Sequence, residues 1–374
     1  MTIVNLVLNN FTTDSRVLKV SNTLQAMGHE VIVVALHENN LAVREVLPNG
    51  VKVHRVHLVT RKWCKNHFIQ IIKLIEFLFT FIIDYRKSDI LHCNDLSGLF
   101  VGVICKLTRP GLPLVYDSHE FAINDFPYET KWSITLKFAL EWLFIKFAKQ
   151  VISVSESISH EYSRLYRIPK PHLVLNCPPY HEQPKLNLFR ERLGIRSDQT
   201  IFLYQGGLSK RRGIELMLEA FSYLDSDQIV LVFMGYGPLE DLIQKQVLKQ
   251  KAVYYHPAVG LDMLLKFTSS ADYGISFIED SCLSDRYCLP NKIFEYLMAG
   301  LPVLISNLFE MKRMVEVERV GVVAAENTVK GFRQAVHASL HQNYAAIQKN
   351  VFSARRKYCW EEQEKVLKKV YDVL

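Results

Sequence analysis

Two doubly wound α/β domains are the fold class predicted by this sequence. Three observations carry the expectation. The chain has 374 residues, more than one ordinary hydrophobic core accommodates. It opens as strand, loop, helix, strand: an apolar run from Ile3 to Leu8, a polar loop, a helical pattern from Val17 to Met27 stopped by Gly28, and a second apolar run from Glu30 to Ala35. The second half starts again with a strand, Thr200 to Gln205, that runs into Gly206-Gly207 and then a helix entry.

Composition narrows the class. Hydrophobic residues make up 49% and charged residues 22%, a globular balance. The net charge of +7 favours anionic partners such as phosphates or an acidic membrane surface. Nucleic acid is not expected, because the basic residues flank apolar helices and do not interleave with base-stacking aromatics. Seven scattered cysteines without a C-x-x-C pair argue against a zinc site and for a reducing, cytoplasmic setting. No cleavable signal is read at the start, and no apolar run reaches the length of a membrane span.

Along the first half, Asp14 and Arg16 read either as a helix-entry cap and a solvated side chain or as functional groups at the loop after the first strand. No G-x-G-x-x-G follows the first strand, so a dinucleotide fingerprint is not supported. Residues 61–87 and 131–150 form two basic, aromatic-rich helical segments. They suit a membrane interface, and equally the packing of a large α/β domain. Strands at Asp89–Asn94 and Leu114–Glu120 end in polar groups. Open α/β sheets bind ligands beyond the carboxyl ends of their strands, so His92, Asp95, Asp117, His119 and Glu120 are placed where chemistry can occur. Val151–Ser157 is another strand, with Ser155 suited to cap the next helix. The Pro pair in "VLNCPPY" reads as an interdomain linker.

In the second half, Gly206 and Gly207 precede Lys210-Arg211-Arg212 at a helix entry. Close backbone approach, exposed N–H groups and cations together make a diphosphate cradle. Gly235-Tyr236-Gly237-Pro238 turns from strand to helix, and Val253–His256 is a strand end. The stretch "LPNKIFEYLMAGLPVLIS" reads as a short helix opened by Pro290, stopped at Gly300 and followed by a buried strand. Glu295 is expected near the helix start, off the apolar face. There it either bridges Lys292 or accepts two hydrogen bonds from a vicinal diol such as a ribose. Asp225-Ser226-Asp227 matches the D-x-D metal motif, but it lies between a helix and a strand and reads as a solvated turn.

"LPNKIFEYLMAGLPVLIS" resembles the nucleotide-sugar signature of the family 4 (group 1) glycosyltransferases. "DSRVLKVSNTLQAMGHEVIVV", "VYDSHE", the Gly206 turn and the Gly235 turn match the same family in the same order, over nearly the whole chain. The resemblance implies the GT-B fold: two Rossmann-like domains facing a cleft. The N-terminal domain, residues 1–180, would bind the acceptor. The C-terminal domain, residues 181–350, would bind a nucleotide diphosphate sugar. Residues 351–374 would return as a helix to the first domain. It implies a hexosyltransferase-type enzyme acting with retention, with no metal or other cofactor. The two basic apolar helices add the expectation of a saccharide or lipid-linked acceptor, in envelope polysaccharide or glycolipid synthesis, with the protein peripheral on the inner face of the plasma membrane.

By the same match His119 lies near the donor sugar, and Arg212 takes the place of the family's Lys before Gly. Lys210 or Arg211 would supply the charge that the family places where Gly207 stands. His256 and Pro257 fall at the base-binding backbone, and Asn291, Lys292 and Glu295 lie in the signature. One departure is sharp: the family's first glutamate corresponds to Tyr287. An epimerase of the same fold, or a non-catalytic membrane-associated sugar-nucleotide-binding protein, are the alternatives.

Overall fold

A computed structural model describes residues 1–64, 66–225 and 227–374, and the side chains of all of these but 67 and 68. The chain divides into two compact units, Met1–Val174 with Glu364–Leu374, and Leu175–Gln363.

In the first unit the order is β1 (Thr2–Leu6), α1 (Ser15–Ala26), β2 (Glu30–Leu36), β3 (Arg44–Val46), β4 (Lys52–Val56), α2 (His67–Tyr85), β5 (Ile90–Asn94), α3 (Asp95–Thr108), β6 (Leu114–Ser118), α4 (Lys131–Phe144), β7 (Gln150–Ser153), α5 (Glu156–Tyr166) and β8 (His172–Leu173). The strands form one sheet in the order β3-β4-β2-β1-β5-β6-β7-β8, parallel except for β3 on β4. β1 pairs with β2 on one side and β5 on the other, so the winding reverses between β1 and β5. The inner strands β1, β5 and β6 are almost wholly buried, as a sheet covered on both faces requires, while the edge strand β3 is largely exposed. Asp14 caps α1, accepting from Val17 N at 3.1 Å, and Ser155 caps α5, accepting from Ile158 N at 3.3 Å.

In the second unit the order is α6 (Leu188–Leu193), β9 (Thr200–Gly207), α7 (Ile214–Phe221), β10 (Ile229–Tyr236), α8 (Glu240–Val247), β11 (Val253–Pro257), α9 (Leu261–Thr268), β12 (Tyr273–Ser276), α10 (Leu283–Tyr287), α11 (Asn291–Met298), β13 (Val303–Ile305), α12 (Phe309–Glu318), β14 (Gly321–Val323), α13 (Val329–His341), α14 (Tyr344–Lys357) and α15 (Trp360–Tyr371). The sheet is wholly parallel, ordered β11-β10-β9-β12-β13-β14. Its reversal lies between β9 and β12, and a ligand crevice is expected outside the carboxyl ends of those two strands.

The units divide at different residues from those read in the sequence. Val174 N donates to Ser153 O at 3.0 Å, so the chain stays with the first sheet up to that residue. The tail is two helices, not one. α14, capped by Asn343, packs on α11 and α12 in the second unit. α15 begins in the second unit, where Trp360 N donates to Pro178 O at 2.8 Å. It ends in the first, where Glu364 accepts from Thr23 Oγ1 at 2.7 Å and Tyr371 meets His92.

Candidate active site

In the second unit the crevice is made by a gap between strands. β9 and β12 pair only at Tyr273–Phe202 and Gly274–Leu203. Beyond that point the hydroxyl of Tyr296, from α11, bridges them. It accepts from Gln205 N and donates to Ile275 O, both at 3.0 Å. α11 is thereby fixed against the end of β9. Gln205 Nε2 donates to Glu295 Oε2 at 2.6 Å, and this acceptor carboxylate sets the orientation of the amide; Gln205 Oε1 lies 2.7 Å from Thr268 Oγ1, which is also 2.7 Å from Leu264 O. Glu295 is the fifth residue of eight in α11, so a bond to Gln205 holds it and the helix dipole contributes little.

Gly206 follows with φ of 115°, a conformation that favours glycine. A Cβ at Gly206 would stand 3.7 Å from Lys292 Nζ. That ammonium lies 3.8 Å from the centre of the Tyr204 ring. Burial and the nearby charge of Arg212 push the Lys292 pKa down to about 7, against the opposing pull of Glu295. Gly206, Lys292, Arg212 and Glu295 thus share one end of the sheet, with Gly207 and Lys210 exposed beside them. A glycine turn without side chains, half-buried cations and a helix entry at α7 together make chemistry that suits an anionic group.

Other expected residues have structural duties. Arg211 turns away and is ion-paired to Asp285, with a further bond from its Nε to Ser281 Oγ at 2.9 Å. It fastens the segment after β12 to the glycine turn and is committed as a charge, which leaves Lys210 as the exposed cation. The side chain of His256 is buried between Phe189 and Phe267, with ring centres at 5.9 and 4.6 Å, so only its backbone and the exposed Pro257 could face a ligand. Gly235 answers to packing, since a Cβ there would lie 1.9 Å from Gly206 O. Asn291 is exposed at the start of α11, and Tyr287 is half-buried at the end of α10. Asp225 accepts from Asp227 N at 2.9 Å in the turn before β10, at the opposite end of the strands; Ser226 of that motif lies outside the described residues.

In the first unit, Asp95 takes a left-handed conformation, φ 57°, where β5 turns into α3. Its Oδ1 accepts from His119 N at 3.0 Å, and Oδ2 lies 3.6 Å from His119 Nδ1. His119 Nε2 meets Asn94 Oδ1 at 3.0 Å and lies 3.7 Å from Asp117 Oδ2. Burial alone would lower the histidine pKa, but Asp95 and Asp117 outweigh it and the pKa is raised. Asp117 is fully buried, and against that burial Arg16 and the two histidines hold it well below the ordinary carboxylate range. Arg16 is not solvated: it is buried, with Nε and Nη2 on the two Asp117 oxygens at 3.0 and 2.6 Å and Nη1 on Val174 O at 2.8 Å. His92 is also buried, 2.7 Å from the Tyr371 hydroxyl, and supports Asp117 without reaching the surface. Only Asp95, His119 and Glu120 of the five expected strand-end residues are open to a ligand.

Residues 14–177 match the family described as Glycosyltransferase Family 4, and residues 199–342 match Glycosyl transferases group 1. The chain is a family 4, group 1 glycosyltransferase.

An uncharacterized glycosyltransferase of Methanocaldococcus jannaschii is 26% identical over 319 residues, covering 79% of this chain and 76% of that one. The alpha-monoglucosyldiacylglycerol synthase of Acholeplasma laidlawii is 21% identical over 318 residues, covering 77% of this chain and 75% of that one. Among solved structures, sucrose-phosphate synthase of Thermosynechococcus elongatus matches with a TM-score of 0.80 at 17% identity, over 100% of this chain and 98% of the other. HepE of Anabaena, solved with UDP and glucose, matches with 0.75 at 14%, over 100% of both. These structural likenesses are of fold, and the fold is GT-B.

The glycosyltransferase holds its site with residues that sequence reading passed over. Gln205 and Tyr296 set the position of Glu295 from two elements far apart in the chain. Asn94 fixes the His119 ring, and its own amide donates to Asn5 Oδ1 at 2.7 Å and Leu6 O at 2.8 Å. The end of "YQGG" carried a signal for Gln205, since it is the last side chain before the glycines. Nothing in the sequence marks Glu141, which is fully buried on α4 and accepts from the hydroxyls of Tyr116, Tyr162 and Tyr166.

Proposed function

We propose that this glycosyltransferase moves a hexose from a nucleotide diphosphate sugar, held by the C-terminal unit, to a hydroxyl acceptor held by the N-terminal unit. The observation that carries the reading is the meeting of Gly206, Lys292, Arg212 and the Gln205-anchored Glu295 at the reversal of the second sheet. In this reading the Glu295 carboxylate accepts from the ribose diol, and the cations take the diphosphate. HepE, of the same fold, is solved with UDP-glucose, which supports a donor of this class.

In the transfer the acceptor oxygen bonds to the anomeric carbon. The bond from that carbon to the diphosphate oxygen breaks, and its electron pair leaves on the diphosphate. The acceptor proton passes to the departing phosphate on the same face, with retention. Charge therefore grows on the leaving group, where Arg212, Lys210 and Lys292 stabilise it. No protein carboxylate is assigned as nucleophile, and no metal is assigned to the step. His119, with its raised pKa, acts as a hydrogen-bond donor to the sugar and not as a base.

The protein works at a membrane surface in this reading. Ile71, Ile75, Phe79 and Ile83 form an exposed ridge on α2 at four-residue spacing, and Trp132, Leu136 and Leu143 lie exposed on α4. Arg61, Lys62, Arg86, Lys87 and Lys131 border these helices. No helix among the described residues is long and apolar enough to cross a membrane. Exposed apolar ridges with a basic border suit an interfacial seat.

The deciding experiment is a thermal-shift panel of UDP, GDP, ADP and TDP sugars on wild type, Glu295→Ala and Arg212→Ala. One nucleotide series should stabilise the wild type and neither variant. Equal stabilisation of all three proteins would remove the donor-site assignment.

A further inference from the structure

A cavity of about 700 Å³ opens in the first unit among α2, α3 and α4. Its two ends differ in chemistry. At one end are Asp95 and His119, at the carboxyl ends of β5 and β6. Its apolar lining comes from Leu74 of α2, Phe100 of α3, and Leu140 and Phe144 of α4, with the paired Lys137 and Asp125 among them. α3 packs against both other helices, and the Phe100 and Phe144 rings meet edge to face with centres 5.5 Å apart.

We propose that this cavity takes the acceptor as an uncharged amphiphile. Its hydroxyl-bearing head lies against Asp95 and His119, and its hydrocarbon chain lies between α2 and α4. The proposal rests on the reading of this unit as the acceptor side.

Four features support it. Apolar side chains face open space, and a free saccharide leaves that surface without apolar contact while a hydrocarbon chain covers it. The apolar path continues outward. Ile71 lies one turn from Leu74, and Leu136 and Leu143 each lie one turn from Leu140; all three are exposed, so apolar surface runs on from the cavity wall to the outer faces of α2 and α4. The cavity offers no unbalanced cation for a lipid phosphate. Lys137, which lines it, is paired with Asp125 at 2.7 Å and Glu129 at 2.8 Å, while Asp95 and Glu120 bring negative charge to the polar end. Finally, the wall is braced, because Glu141 ties α4 to β6 through Tyr116 and to α5 through Tyr162 and Tyr166.

The test measures binding of methyl β-glucoside, octyl β-glucoside and octyl phosphate to the full chain by calorimetry, each below its micelle concentration. Octyl β-glucoside should bind at least about tenfold more tightly than the methyl compound, since each added buried methylene contributes. It should also bind more tightly than octyl phosphate. The half-buried positions allow Leu74→Ser and Leu140→Ser, which should remove the chain-length dependence while nucleoside diphosphate affinity and the thermal transition stay as in wild type. Equal affinity for the two glucosides, chain-length dependence retained in both variants, or tighter binding of octyl phosphate would each overturn the proposal. If nucleotides bind but chain length has no effect, the lipid assignment alone fails. If chain length matters and no nucleotide binds, the donor reading is the one that fails.

Discussion

Gln205 and Glu295 are ninety residues apart in sequence and joined by a 2.6 Å hydrogen bond from amide to carboxylate. The bond ties the last side chain of a central strand to the helix of the signature stretch. Thr268 Oγ1 lies 2.7 Å from the amide oxygen on the far side. Glu295→Ala should therefore weaken nucleoside diphosphate binding by about ten- to a hundredfold, the loss expected for charged hydrogen bonds to a diol. Gln205→Ala should weaken it by roughly threefold to tenfold, because the carboxylate remains but loses its guide. Calorimetric titration of both variants checks the order, and a larger loss for Gln205→Ala would contradict it.

Lys292 titrates near neutrality in the free protein, at about 7. A bound diphosphate favours the ammonium and raises that pKa. Between pH 7 and the ordinary lysine range, nucleotide binding should then take up a proton, and affinity should fall as pH rises through this window. Titrations in buffers of different ionisation enthalpy measure the uptake. Lys292→Met should abolish the uptake and weaken binding at pH 7.

The His119 pKa is raised by Asp95 and Asp117, so the ring keeps its proton above the ordinary histidine range. A donor role requires that proton, and turnover should decline as pH rises past the raised value. His119→Ala should lower kcat by about a hundredfold or more while nucleotide affinity holds. A pH–rate profile and a nucleotide titration together separate this from a folding defect.

Arg16 and Asp117 form a buried ion pair, and removal of one partner strands the other. Arg16→Met should destabilise the first unit by roughly 3–5 kcal/mol, seen as a lower thermal transition. The Asp117 carboxyl has a depressed folded pKa, so its contribution is present above the ordinary carboxylate pKa and lost as pH falls below it. Acid unfolding of Arg16→Met should accordingly begin at higher pH than in wild type.

The exposed α2 ridge predicts sedimentation with anionic vesicles. Phe79→Ser with Ile83→Ser should reduce the bound fraction by about tenfold or more. Raised salt should weaken binding in both proteins, because the basic border is screened. Unchanged sedimentation of the double variant would remove α2 from the membrane contact.

Fold class and family were legible in the residues, because hydrophobic periodicity, helix stops and glycine turns are local properties of a chain. Strand ends gave the positions of His119 and Gly206 from local pattern, whereas Glu295, expected near a helix start, lies mid-helix. Local reading failed where a side chain has a choice of distant partners. Arg16 reads as solvated or functional beside its own neighbours, yet Asp117 takes it into the core. Arg211 reads as a phosphate ligand beside Lys210 and Arg212, yet Asp285 claims it.

By itself, then, the sequence determined two doubly wound sheets, the stretch that identifies the family, and the strand ends where chemistry gathers. Tertiary structure alone decided which cations stay available, how Gln205 and Tyr296 hold Glu295, and that α2, α3 and α4 leave an apolar cavity beside His119. The physical reason is range. Backbone propensity acts over a few neighbouring residues, whereas the pairing of buried charges and the space left between helices depend on groups brought together only by the packing of remote segments.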